Sequence, residues 1–383
     1  MLGTRYLETC LGDIMAPEGM RQADERDLGW HRADAAGRDP SRLRQAVDRR
    51  KTRADLRAAR VYLEALHAAQ PCPETALELA AMHRKCHDHT AGLAVLDNAL
   101  AHWPKRADIL QAQAELATRD KQFGRAASLW TRLIAGHGAA SAYPVLRAIA
   151  GHRLSGDEGA VASLLERNAP VLRSAYPPMA LQLLEGGVDA VAPVTPGLYM
   201  VTGNNGTGKT TLGHALQAMG FTIIDADIDI AAFCRGDRWS VLRHDLTRGA
   251  AEAEAQVRWL WPASRFDAAC TAARPEARPV FVIGGFGQTV APYICRARKV
   301  FHFTAPTDVI ARRLARRGSP AHLPGTAGHA AALRRNARQA KPDYPAHILQ
   351  SDRPVWHILA DMLDALHCHA RESLISDPAL QSA

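Results

Sequence analysis

Leu198-Tyr199-Met200-Val201-Thr202-Gly203-Asn204-Asn205-Gly206-Thr207-Gly208-Lys209-Thr210-Thr211 reads as an apolar strand running straight into a glycine-rich loop that closes on Lys-Thr-Thr. From Gly203 onward it fits G-x-x-x-x-G-K-[ST] without a mismatch. Pro196-Gly197 precedes the strand, and Leu212, Ala215, Leu216 and Met219 follow at helical spacing until Gly220 stops the helix. Each residue type has a chemical reason. Glycines let the backbone curl so that successive N–H groups face phosphate oxygens. The helix starting there adds the positive end of its dipole. Lys209 has the reach for β- and γ-phosphates, and the Thr210 hydroxyl for Mg²⁺. The pattern implies a nucleoside triphosphate held by Gly203, Asn204, Asn205, Gly206, Thr207, Gly208, Lys209, Thr210 and Thr211.

With 383 residues, two domains are the default expectation. A hydrophobic share of 47% and a charged share of 22% describe an ordinary globular chain. No window approaches the ~20 uninterrupted apolar residues of a membrane span. Glu8 and Asp13 stand where a signal peptide needs an apolar run, so a cytoplasmic location is expected. The seven cysteines are scattered with no C-x-x-C pair, which reads as reduced thiols and not as a disulfide framework or zinc site. The net charge of +8 has a particular location. Eleven basic residues and one acid, Asp308, lie between Arg296 and Lys341, a local +10 that leaves −2 for the remainder. A funnel for a polyphosphate accounts for this more simply than a nucleic-acid groove, and a solvated helix face is the plainer alternative.

Residues 1–53 are rich in Arg, Asp, Ala and Gly and read as a flexible N-terminal segment. Residues 54–170 read as helix after helix, and aligning rows of about 34 residues shows a repeat. The row from Pro73 carries Leu79-Ala80, then Gly92, Leu96 and Ala99, and closes on Pro104. The row from Ala107 carries Leu110, Ala114 and Ala117, then Ala126, Trp130 and Leu133. A third, from Ser141, keeps Ala148, Ala160 and Leu164. Small residues fall where paired helices approach and large apolar ones where they interlock, which resembles a tetratricopeptide array; a plain helical bundle is the alternative. Residues 171–196, with Pro177-Pro178 and Gly186-Gly187, form a linker around one short helix. An α/β domain with a parallel sheet then occupies 197–370, and 371–383 is a tail.

Within that domain Phe221-Thr222-Ile223-Ile224 reads as a second strand ending in Asp225-Ala226-Asp227-Ile228-Asp229. Strand alternation would turn Asp225 and Asp227 toward one face, at the end of the sheet where α/β proteins bind ligands. A helix-capping Asp with two surface acids is the alternative. Pro279 to Ile283 is a third strand, and it runs into Gly284-Gly285-Phe286-Gly287 with no acid at its end, which counts against a motor-type ATPase. Lys299 to Phe303 is a fourth strand, followed by an Arg-rich helix, a loop from Gly318 to Gly328, a helix over Ala330 to Arg338 and closing pieces at Ile348 and Val355–Leu366.

Gly203 to Thr211, the helix after it, the Asp-x-Asp of Asp225 and Asp227, and the glycine run after Ile283 together resemble shikimate kinase. The wider group includes adenylate-kinase-like and gluconate-kinase-like proteins, and the resemblance covers about 197–366. It implies ATP and Mg²⁺ as cofactors, with Lys209 and Thr210 on phosphate and metal. Asp225 would support the metal, Asp227 would receive the acceptor hydroxyl, and Gly284 and Gly285 would line the acceptor site. A lid arginine, Arg317 or Arg316, would stabilise the transferred group, and Arg334, Arg335 or Arg338 would serve phosphate or acceptor. The chain departs from that family at Phe286 and in a lid without Arg-Pro-Leu-Leu. No arginine in the family's acceptor position can be placed between the second and third strands, where Arg238 and Arg243 are the candidates. Trp239, Trp259 and Trp261 in that insert fit either core packing or a different acceptor pocket.

The leading expectation is therefore phosphoryl transfer from ATP to a hydroxyl of a small molecule. A nucleotide-gated adaptor whose helical repeats bind a protein partner is the alternative from another class. Nucleic acid is the least favoured partner, and no membrane is expected.

Overall fold

The computed structural model describes residues 28–52, 56–86, 88–139, 141–190, 193–235, 240–242, 257–285, 290–316, 327–338 and 342–375. By contacts the chain divides into two compact units, one made of 1–139 with 232–264 and the other of 140–231 with 265–383.

The first unit is a run of helices: α1 (28–35), α2 (Pro40–Thr52), α3 (Leu56–Ala69), α4 (Pro73–Lys85), α5 (His89–His102), α6 (Ala107–Arg119) and α7 (Phe123–His137). Each packs chiefly on its chain neighbour, so the helices form consecutive hairpins. Helix starts carry the expected chemistry. Pro73 occupies the first turn of α4, and Cys72 and Thr75 form a reciprocal cap in front of it. Asp88 accepts the Ala91 N–H at the head of α5. Gly92 has a packing reason, since a Cβ there would lie 2.8 Å from Leu116 Cδ2 on α6. The same unit contains a three-stranded antiparallel sheet, β3 (Ala232–Arg235), β4 (Ser240–Leu242) and β5 (Val257–Leu260), in the order β4-β3-β5.

The flexible reading of 1–53 fails for residues 28–52. Leu43, Ala46 and Val47 are buried at helical spacing, and they join Ala35, Tyr62, Leu63 and Leu66 in one core. The abundant surrounding charge masks that periodicity in the sequence. Part of the charge is structural: Glu78 on α4 accepts from Arg44 at 2.6 Å and from Lys51, both on α2. Burial pushes the Glu78 carboxyl up, but Lys51 and Arg44 outweigh it and hold the group below its ordinary 4.5. A depressed carboxylate stabilises the fold above its unfolded value and loses that contribution as pH falls through its folded value. Glu78→Gln should therefore lower the melting temperature at neutral pH, by an amount corresponding to about 1 kcal/mol. The gap from the parent chain should close as the pH drops below 4.5 in parallel thermal melts.

The second unit begins with α8 (Ala142–Leu154), α9 (Glu158–Arg167), α10 (Ala169–Ala175) and α11 (Pro178–Gly186), so the expected linker is largely helical. An α/β sandwich follows: β1 (Gly197–Gly203), α12 (Lys209–Ala218), β2 (Thr222–Asp225) and the short turn α13 (Ala226–Asp229). It continues through α14 (Ala263–Ala273), β6 (Pro279–Ile283), β7 (Lys299–Thr304), α15 (Thr307–Arg316), α16 (Ala327–Arg338), β8 (His347–Gln350) and α17 (Val355–Ile375). Its five strands are all parallel, in the order β2-β6-β1-β7-β8. The inner strands β1, β6 and β7 are almost wholly buried, as continuous apolar runs in a parallel sheet should be. Every strand expected from the sequence is present. No helix among the described residues is long and apolar enough to cross a membrane. Among the described residues Cys72, Cys86, Cys270 and Cys295 are free thiols.

The glycine loop after β1 is packed by its own helix. Leu212, Gly213, Ala215, Leu216 and Ala218 of α12 are buried. A Cβ on Gly213 would come within 2.9 Å of Ile283 Cδ1, so α12 lies close against β6. Helix α8 packs against α12 as well, and residues Val145 to Gly151 of α8 are buried throughout.

Candidate active site

The strand order reverses around β1. From β1 the chain moves to one side through β2 and β6, then crosses to the other side through β7 and β8. The crevice outside the carboxyl ends of such strands is where α/β sheets bind ligands, and the loop Asn204–Gly208 occupies it. Gly203 has φ 134° and Gly208 has φ 95°, both in territory that side chains disfavour. At Gly203 a Cβ would also stand 2.5 Å from the Phe303 carbonyl oxygen, so β1 and β7 close tightly beneath the loop.

Lys209 turns its ammonium into the loop, where Nζ donates to the carbonyls of Gly203 at 2.6 Å and Asn204 at 2.9 Å. The buried Thr207 hydroxyl donates to the Asn204 carbonyl at 2.8 Å. Gly208 begins α12 with no side-chain cap, so the first-turn N–H groups are not consumed by a cap. Thr210 and Thr211 are exposed on that first turn.

The two glycines after β6 tie this loop to the second group of candidates. Gly203 N–H donates to the Gly285 carbonyl at 3.2 Å, and Gly284 N–H donates to the Val201 carbonyl at 3.0 Å. Gly284, at φ 137°, sits against Ala226, whose Cβ would be 3.0 Å from a Cβ placed there. Gly203, Gly284, Gly285 and the Asp225–Asp229 turn are thus brought together. The alternation argument for the two carboxylates does not hold, because β2 ends at Asp225 and the next four residues form a helical turn. Asp225 caps that turn, its Oδ1 accepting the Asp227 N–H at 3.1 Å, while Asp229 Oδ2 accepts the Asp225 N–H at 3.0 Å. Asp227 is exposed, with no ion pair among the described residues.

Arginine placement differs from the sequence expectation in two ways. The single funnel divides. Arg296, Arg298 and Lys299 lie before or at the amino end of β7, the end of the sheet opposite the loop, and Arg296 there pairs with Asp267. Arg313 on α15 does reach the loop, donating to the Gly206 carbonyl at 3.3 Å and to the Ser351 carbonyl at 2.6 Å. Arg312 is occupied by Asp308, whose carboxyl its hydrogen bond holds below the usual range. Arg316 and Arg334 are exposed. Arg317, Arg238, Arg243, Phe286 and Trp239 lie outside the described residues, as do the side chains of Arg335, Arg338 and Trp259. Trp261 is buried at 2% exposure, which favours its core reading.

Two contributors were not legible as site residues. Arg265, at the start of α14, donates to the Asp229 carbonyl at 3.4 Å, so an arginine does stand beside the carboxylate turn. Beneath the loop, the buried Thr202 hydroxyl lies 3.0 Å from His302 Nδ1 and accepts from the Tyr344 hydroxyl at 2.9 Å. Burial pushes the Tyr344 phenol up, which keeps it a neutral donor. Both sets join residues far apart in the chain, which spacing alone does not reveal.

No protein-family model matches the chain, and no curated protein does. Among solved structures, a gluconokinase from Sinorhizobium meliloti 1021 aligns at 15% identity and a TM-score of 0.31, covering 49% of this chain and 98% of that one. So slight a likeness says nothing about what this chain does, and the residues at the carboxyl ends of β1, β2 and β6 must speak for themselves.

Proposed function

We propose that the chain transfers the terminal phosphoryl group of ATP to a hydroxyl of a small molecule. The observation that carries this reading is the unit β1–loop–α12, in which Lys209 and the uncapped first turn of α12 adjoin the same glycine loop. That is the arrangement in which backbone N–H groups and one ammonium neutralise a polyphosphate. On binding, Lys209 would leave the Gly203 and Asn204 carbonyls for phosphate oxygens. Arg313 would hold the loop's Gly206 carbonyl in place.

Among the described residues no three His, Cys, Asp or Glu side chains converge as a metal cage. That suits Mg²⁺, which keeps several waters and takes one or two protein ligands plus phosphate oxygens. Thr210 and Asp225 are the residues that would hold it, and bound there it would neutralise charge between the β- and γ-phosphates. Asp227 takes the proton of the acceptor hydroxyl as that oxygen bonds to the γ-phosphorus, and the bond from phosphorus to the β–γ bridging oxygen breaks to release ADP. Gly284 and Gly285 would line the acceptor site with backbone, and Arg265 would orient the turn that bears Asp227. Arg317, with Arg335 and Arg338, would supply positive charge over the transferred group.

A second reading is favoured by one specific observation. Helices α4 and α6 start at 73 and 107, and α5 and α7 at 89 and 123, both 34 residues apart. That spacing supports a tetratricopeptide-like stack, which would present a surface for a protein partner and make ATP a switch. The deciding experiment incubates the protein with ATP, Mg²⁺ and a pool of hydroxylated metabolites, followed by ³¹P-NMR and mass spectrometry. One phosphorylated product in equal amount to ADP supports the kinase. ATP consumption with phosphate as the product favours the switch, and failure to bind ATP removes both.

A further inference from the structure

Arg153, near the end of α8, has a side chain only 7% exposed and lies at the far end of the nucleotide-loop helix. Its Nη1 donates to the Ala218 carbonyl at 2.6 Å, at the last turn of α12, and its Nη2 donates to the Glu185 carbonyl at 3.3 Å, at the last turn of α11. The remaining nitrogen, Nε, faces both carboxylate oxygens of Glu158 at 3.3 Å. The glycines that end these helices are fitted to it. A Cβ at Gly187 would lie 3.1 Å from Arg153 Cζ, and one at Gly220 would lie 3.2 Å from Cδ. One guanidinium therefore caps two helix carboxyl ends, where orphan carbonyls and the negative dipole end both favour a cation.

Other contacts run along α12. The Tyr143 and His214 rings are 5.9 Å apart, and Arg147, buried at 6% exposure, donates to Gln217 Oε1 at 3.1 Å. Partners advance in the same direction on both helices, so α8 lies beside α12 in a parallel sense. Since α12 has only ten residues, its rigid length is about 15 Å. The loop before it is braced in part by Lys209, which belongs to the first turn of α12 itself, so the loop follows that helix. Displacing the carboxyl end of so short a rod must tilt the amino end that meets the phosphates.

Building on the ATP reading above, we infer that Arg153 is a positioning residue: α8 holds the nucleotide loop in binding geometry by clamping α12 from its opposite end. The helical hairpin α8–α9 then belongs to the nucleotide site's working parts, and whatever shifts α8 changes ATP affinity.

The test uses the full chain as Arg153→Met and Arg153→Lys, with Val161→Ala as a control. Val161 is a buried residue of α9, so its truncation loosens the same hairpin without touching α12. Hydrogen exchange without nucleotide is the primary measurement. Arg153→Met should speed exchange at Leu212, whose N–H donates to the Gly208 carbonyl, and at Gly213, as well as near Ala218, and Arg153→Lys, which keeps the charge but not the fork, should fall between. Calorimetric titration should show ATP binding about tenfold weaker in Arg153→Met, within the usual range for coupling between sites. Exchange that rises only near residues 216–220, or a Val161→Ala variant of equal melting temperature that loosens the loop equally, overturns the inference. A parent chain that binds no ATP defeats the functional reading instead, and the exchange result still decides the coupling.

Discussion

Lys209→Ala is expected to depress ATP binding and phosphoryl transfer by at least ~10²-fold, the scale for losing one preorganised group aimed at transition-state charge. Lys209 supplies the only ammonium shown in the loop, and the backbone N–H groups alone cannot match its charge on the γ-phosphate. The same ammonium bonds two loop carbonyls in the protein without nucleotide, so the variant also leaves the Gly203 and Asn204 oxygens with one donor fewer. A stability loss of about 1.5–3 kcal/mol should accompany the loss of function. Circular dichroism and a thermal melt separate the two effects. Transfer at the parent rate by a folded Lys209→Ala protein would sink the kinase reading.

Removing residues 1–170 is expected to give a chain that aggregates and does not melt cooperatively. From sequence alone that cut looks like a domain boundary and a fair way to isolate the catalytic part. In the structure it deletes α8, whose Val145, Leu146, Ala148 and Ile149 are buried within the second unit. It uncovers one side of α12 and takes Arg153 away from the carboxyl ends of both α11 and α12. Large apolar areas left in water are the usual route to aggregation. Solubility, a melting curve and an ATP titration of 171–383 are the measurements. A soluble fragment that binds ATP as the full chain does would show that α8 is dispensable.

Much of the α/β unit could be read directly because its strands are buried on both faces, which leaves continuous apolar runs such as Val280 to Ile283. The phosphate loop was legible for a different reason: close backbone approach and positive φ admit few residues besides glycine at Gly203 and Gly208. Asp225 shows the limit of periodicity. An Asp at a strand end is also a good helix cap, and here capping decides the local backbone, which moves Asp227 off the strand. Charge misled twice. It hid the buried Leu43, Ala46 and Val47 in α2, and it suggested one funnel where strand direction sends Arg296 to Lys299 to the opposite edge. Arg153, Arg265 and Arg313 owe their roles to partners 32 to 107 positions away, so no local pattern marks them. The one available hint was α8 itself, whose run Val145 to Gly151 is apolar except for Arg147 and so turns apolar side chains to more than one face.

A stack of helical hairpins ordinarily finishes in a terminal helix with one polar face, since its last apolar surface must otherwise meet water. The hairpin α8–α9 is covered differently, because α12 lies against α8. The helix that follows the glycine loop thereby does for α8 what a polar outer face does elsewhere. Any effort to lift α8–α9 out as a stand-alone hairpin would need to supply a substitute cover for α8.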